Sequence, residues 1–151
     1  MKTPPLSADG HTALLALPIT AVLATKNPDG TPRMTPLVFE AQPDDTILFD
    51  TFEDSAAVKN LGRDASCSVL IDNQGSYADG VDPGYGIHYN GTATVHGPEN
   101  DRDGMGKMFT RYVDGQVDKA RAYADVMISY GNRVYVSFRP NREVNWDFRM
   151  G

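Results

Sequence analysis

Only one cysteine, Cys67, stands in the 151 residues, so no disulfide can form within the chain. It lies in the apolar run Cys67-Ser68-Val69-Leu70-Ile71 and reads as a small buried strand residue rather than a reactive thiol. No long apolar run occurs; a membrane-spanning helix would need about 18 residues or more. The opening MKTPPLSADGHT has no apolar centre and does not read as a secretory signal. Together with the lone thiol, these features give the expectation of a cytoplasmic protein. The three histidines, His11, His88 and His96, belong to no His-Glu-x-x-His pattern, and no Cys/His set has zinc spacing. Asp79 and Asp82 share a loop but read as solvated charge, so no metal is expected. There is no Gly-x-Ser-x-Gly elbow and thus no support for a hydrolase triad. No Gly-x-Gly-x-x-Gly follows a strand. Acidic residues outnumber basic ones 20 to 14, for a formal charge of −6, and no Lys/Arg cluster supports nucleic-acid binding.

The chain does have short, strongly punctuated strands. Its length suits a single domain, residues 1–151. Ser7 can cap a helix from Ala8 to Leu17, ended by Pro18. Ile19 to Thr25 is nearly all apolar and suits a strand buried on both faces. Asn27-Pro28-Asp29-Gly30 turns it into a second strand, Pro32 to Glu40. Pro32 and Pro36 keep that strand from being fully paired in a sheet centre. After a turn at Gln42 to Asp45, a third strand, Thr46 to Thr51, leads to a helix from Ser55 to Gly62. That helix start offers free N–H groups with Lys59 one turn in, a natural seat for a phosphate. Ser66 to Asp72 is a fourth strand. Asn73 to Tyr85 has no periodicity and reads as a flap. Gly86 to Val95 alternates with period two, and Gly91 in its middle implies a bulge or another backbone in close approach. Asp101 to Tyr130 reads as two helices split near Asp114-Gly115. Their stripes of Met105, Met108, Phe109 and Tyr112, and of Ala120, Tyr123, Ala124 and Met127, suit core or dimer packing. A last strand, Arg133 to Arg139, should end at Pro140. Hairpin order with few helices points to an antiparallel barrel.

The order of AVLAT (21–25), DGTPRMTPLVF (29–39), LFDT (48–51), Ser55-x-x-x-Lys59-Asn60-Leu61, GIHYNGTATVHG (86–97) and VYVSFRPNREVNWDF (134–148) resembles the pyridoxamine 5′-phosphate oxidase-like split-barrel superfamily. The likeness is closest to its flavin/deazaflavin oxidoreductase branch. The resemblance implies a six-stranded antiparallel split β-barrel with peripheral helices, a homodimer, and a cofactor at the dimer interface. It implies coenzyme F420, or alternatively FMN. Arg33, Met34, Thr35, Pro36 and Leu37 would lie along the ring edge. Thr51, Ser55, Lys59 and Asn60 would lie at the phosphate, and Trp146 beside the ring. The family's phosphate helix commonly carries a basic pair where this chain has Ala56 and Ala57, so one cation of the set remains.

The activity implied is hydride transfer between the reduced cofactor and an unsaturated small molecule, with His88 and Tyr89 at the rim of the substrate pocket. In such enzymes the cofactor carries the chemistry, which accounts for the missing acid/base dyad. The alternative is a non-catalytic protein that stores or sequesters flavin, deazaflavin or haem. Oxidation of pyridoxamine phosphate itself would need a second basic cluster that the chain does not offer.

Overall fold

The structure, a computed structural model, describes residues 3–73 and 84–149. Two aspartates set the first hairpins. Asp29 Oδ1 accepts the Thr31 N–H at 3.0 Å and its hydroxyl at 2.6 Å, and Gly30 supplies a φ of +85°. This turn joins β1 (Ala21–Lys26) to β2 (Pro32–Leu37). Asp44 Oδ1 does the same for the Thr46 N–H and hydroxyl, joining β3 (Phe39–Ala41) to β4 (Ile47–Phe52). The remaining strands are β5 (Ser66–Asn73), β6 (Tyr85–His96) and β7 (Arg133–Asp147). The helices are α1 (Ala8–Ala16), α2 (Ala56–Arg63), α3 (Arg102–Phe109) and α4 (Val117–Tyr130), with a 3-10 turn at Thr110–Val113.

The strands form one antiparallel sheet in the order β2-β1-β5-β6-β7-β4-β3. Its two edge strands are consecutive in the chain and joined through Val38 alone. The sheet therefore has to curl until its edges approach, giving a mainly β, split half-barrel with peripheral helices. There are seven strands rather than the expected six. The single strand expected from Pro32 to Glu40 breaks at Val38; its first part pairs with β1 and its second with β4. Pro32 and Pro36 have no N–H to donate, which suits β2 to an edge.

A second correction concerns β7. Pro140 does not end it; the strand continues to Asp147. The register with β6 moves from Gly91↔Pro140 to Asn90↔Arg142, so Asn141 is the extra residue of a bulge. A bulge tolerates the missing proline N–H. Gly91 is required opposite it, because a Cβ there would lie 2.1 Å from the Arg139 carbonyl oxygen. Both readings of Gly91, bulge and close backbone approach, hold.

Inside the barrel Leu23, Phe39, Phe49, Val69, Ile87 and Phe138 are fully buried. Each such side chain stabilises the fold by about 1.5–3 kcal/mol. Helix α1, capped by the Ser7 hydroxyl on the Gly10 N–H at 3.0 Å, inserts Leu14 into this core. Helix α2 passes the expected stop at Gly62 and ends at Arg63, with Asp64 as its C-cap. Helices α3 and α4 part at Asp114 and Gly115, with φ of +53° and +74°, as the sequence suggests. Between them Met105, Phe109, Ala120 and Ala124 form a second small core against Val38 and Tyr135. No helix among the described residues is long and apolar enough to cross a membrane. The flap expected between Asn73 and Tyr85 falls almost wholly outside the described residues; its ends, Asn73 and Tyr85, pair with each other.

Candidate functional site

Strand registers decide which candidate residues meet. Pro36, Val22, Leu70, His88 and Val144 stand in one line across β2, β1, β5, β6 and β7. A second line runs through Met34, Ala24, Ser68 and Asn90. Side chains alternate between faces of a strand, and the intervening Leu23, Val69 and Tyr89 are the buried, inward set. Both lines therefore lie on the outer face of the barrel. Trp146 joins them: it pairs with Gly86, and a Cβ on Gly86 would come within 2.4 Å of the indole. The fold thus gathers Met34, Pro36, His88 and Trp146 onto one face. That face is bare. Its apolar residues are half-buried or exposed, Met34 at 70% and Val144 at 46%. A shallow cleft of about 440 Å³ indents it at Ala24, Lys26, Pro32, Ser68 and Asn90.

Arg33, Thr35 and Leu37 are the other alternates of β2, opposite Thr25, Leu23 and Ala21. Leu37 packs on the core. Thr25 accepts a hydrogen bond from Asn60 Nδ2 at 3.0 Å, which puts Arg33 on the side of the sheet where α2 docks. Asn60 is itself a fastener. It is buried, and its amide also reaches Asn27 at 3.1 Å and accepts from Arg63. Thr51 is buried at the end of β4, just before α2. Ser55 caps α2 through the Val58 N–H at 3.3 Å, and Lys59 is exposed in the first turn. The helix is held to β1 by the Lys26–Asp64 ion pair. Lys26, then the Ser66 N–H, keep the Asp64 carboxyl down at about 2.

His88 and Tyr89, expected together at one rim, are on opposite faces. Tyr89 points inward and its hydroxyl lies 3.0 Å from His11 Nε2. Burial, then the charges of Glu143 and Asp45, raise that hydroxyl well above its usual range. On the same inner side Cys67 is buried, and desolvation followed by the Asp64 charge pushes its thiol up to about 12. This is the inert strand residue the sequence suggested.

A family model described as pyridoxamine 5′-phosphate oxidase matches residues 8–135. The chain belongs to that family. No curated protein matches it. Among solved structures it resembles a conserved hypothetical protein from Mycobacterium tuberculosis, 26% identical with a TM-score of 0.75, over 97% of this chain and 88% of that one. An F420 reductase is similar at 20% identity and a TM-score of 0.64, covering 87% of this chain and 94% of its own. The haem storage protein HutZ from Vibrio cholerae has a TM-score of 0.65 at 10% identity, with 93% of each chain covered. The latter two share the fold.

Sequence reasoning missed Val22, Leu70 and Val144 as members of this oxidase-family surface. A signal for the first two was present. The strands around Ile19–Thr25 and Cys67–Ile71 are apolar at successive positions, a pattern of burial on both faces. In the single chain the outward positions of β1 are only half-buried.

Proposed function

We propose that the protein is a homodimeric oxidoreductase that moves a hydride between reduced coenzyme F420 and an unsaturated small molecule. The observation that supports the dimer is the outer face of β2, β1, β5 and β6. Two of these strands, β1 and β5, have the composition of two-sided burial, yet their outer side is open among the described residues. A second copy laid on it would bury Val22, Leu70 and Val144 and turn the shallow cleft into a groove.

The residues fit one phosphate. The first turn of α2 presents the N–H groups of Ala56 and Ala57, the exposed Lys59 follows in the same turn, and the Ser55 hydroxyl is at the cap, bonded to the Val58 N–H. One nearby cation suits a singly charged phosphodiester, as in F420, better than the doubly charged phosphomonoester of FMN, which is the alternative. When bound, the cofactor supplies the hydride chemistry. The chain's part is to orient it. The β2 edge, with Arg33 and the backbone around Met34, Thr35 and Pro36, can hydrogen-bond a ring edge. Met34, Pro36, His88 and Trp146 can exclude water from its face.

The test is titration of F420 and of FMN into the purified protein, followed by turnover with the reduced form. Lys59→Ala should weaken cofactor binding by about 1–2 kcal/mol, the scale of one charge-assisted hydrogen bond. An unchanged dissociation constant would move the phosphate elsewhere.

One observation favours a second reading, a haem-storing protein. His88 is a half-buried imidazole with apolar Leu70 and Val144 on the neighbouring strands, a setting suited to an axial ligand. A Soret band on adding haem, lost in His88→Ala, would support it.

A further inference from the structure

A second cleft, of about 550 Å³, opens between α1, the β3–β4 turn and the β7 bulge. It belongs to the inner side of the β6–β7 wall, away from the bare outer face. Its size falls within the range of roughly 300–1,000 Å³ usual for small-molecule sites. The bulge made by Pro140 and Asn141 forms one wall, and Ile47 and Leu15 supply apolar surface.

Three ionisable groups from distant parts of the chain meet in it. His11 Nε2 faces both Tyr89 Oη at 3.0 Å and Glu143 Oε2 at 3.5 Å. Glu143 can only accept, while the Tyr89 hydroxyl can either donate to Nε2 or accept from it. Glu143 Oε1 accepts from Asn145 Nδ2 at 2.6 Å, and this Asn145 takes the Leu6 N–H at 2.9 Å, so the carboxylate is held in place. Asp45 lines the cleft as well. Two carboxylates, those of Glu143 and Asp45, thus bring negative charge and acceptor atoms to the cleft that holds the Tyr89 hydroxyl. The rim has the opposite character. Arg139 is 67% exposed and sits 3.9 Å from Asp44, too loose a pair to occupy its guanidinium.

An ammonium brings three donors and a positive charge, which is what the interior lacks. A carboxylate suits Arg139 at the rim. A dication would meet Arg139, and a dianion would meet Glu143 and Asp45. We propose that this cleft is a binding site for a small zwitterion of amino-acid or dipeptide size, amine inward and carboxylate outward.

The test uses the full chain without cofactor, so its result is independent of the redox reading. The twenty protein amino acids and glycylglycine are titrated, with heteronuclear NMR observing His11 and Tyr89. At least one probe should bind with a millimolar or lower dissociation constant and shift both residues. Its N-acetylated and its amidated forms should each bind at least tenfold more weakly. Glu143→Gln and Arg139→Gln should each weaken binding at least fivefold; Arg139 is on the surface, so the second variant is safe from misfolding. The proposal is overturned if no probe binds below 50 mM, if succinate or putrescine binds as well as the best zwitterion, or if both variants bind like the parent.

Discussion

Two halves of one sheet have opposite fates on the outer face of this barrel. Over β4 and the first half of β7, the outward side chains lie under α3 and α4. There Arg133 forms a buried bidentate pair with Asp50, stacks on Phe52 at 3.9 Å, and neighbours Tyr135, which packs on the helical core. Over β2, β1, β5, β6 and the second half of β7, nothing among the described residues covers the outward side chains of Val22, Leu70 and Val144. The covered half uses buried polar pairs and helices to finish itself. The bare half is apolar and unfinished. One half is a structural support, and the other is where a second copy and a cofactor would sit.

The sharpest way to break the covered half is at its ion pair. Arg133→Met would leave Asp50, fully buried, without its cation; removing one partner of a buried pair costs about 3–5 kcal/mol. Burial already raises the Asp50 carboxyl, opposed by Arg133, so the variant should hold it protonated. Thermal and denaturant melts should show the loss. Adding Asp50→Leu should recover much of it, because the uncompensated charge is then gone. A double variant as unstable as the single one would mean that the stack on Phe52, not charge, holds this half.

The bare half should respond in assembly instead. Leu70→Glu places a charge in the middle of the line through Val22 and His88. It should reduce self-association at least a hundredfold, about 2.7 kcal/mol, and remove cofactor binding with it. Sedimentation would show a species of 16.5 kDa, the mass of one chain. The matching control is Tyr130→Glu on α4. Tyr130 is 76% exposed, more than Met34 or Val144 of the bare face, but it lies on the covered half. Its change should leave the mass untouched. If both variants become monomeric, or neither does, the contrast between the halves is wrong as a guide to assembly.

How much of this was legible in the sequence depended on distance along the chain. Turn chemistry is local, so the turns at Asn27–Gly30 and Gln42–Asp45 were visible, while the aspartates that close them, Asp29 and Asp44, came from the structure. The cap at Ser7 and the break at Asp114-Gly115 were local too. The continuation of β7 through Pro140 was not, because the residue that permits it is Gly91, on another strand. The break at Val38 has the same cause: it follows from sheet closure, not from the residue. The site residues divide likewise. Met34, Pro36, His88 and Trp146 were nameable from the resemblance, but only the registers show that they share a face and that Tyr89 leaves it. The meeting of His11 with Tyr89, 78 positions apart, has no sequence signature at all.

The smallest expected effect sharpens the comparison from the bare side, where α2 is tied to β1. Asp64 is partly exposed, its side chain at 39%, and its carboxyl is lowered to about 2, first by Lys26 and then by the Ser66 N–H. A carboxylate held lower in the folded than in the unfolded chain binds protons less readily when folded. Its contribution to stability is therefore complete above the ordinary carboxylate value near 4 and disappears as the pH falls through about 2. Lys26→Gln removes the larger cause, so the melting temperature should fall less steeply between pH 5 and pH 2 than in the parent chain. Exposure and salt screening keep the difference below that of either variant above. Because the pair also tethers α2, the helix proposed to hold the phosphate, cofactor affinity should weaken slightly in the same variant while the mass of the assembly stays unchanged. An acid limb identical in slope to the parent's would show that the Ser66 N–H alone holds Asp64, and that α2 is positioned by the buried Asn60 rather than by the surface charge.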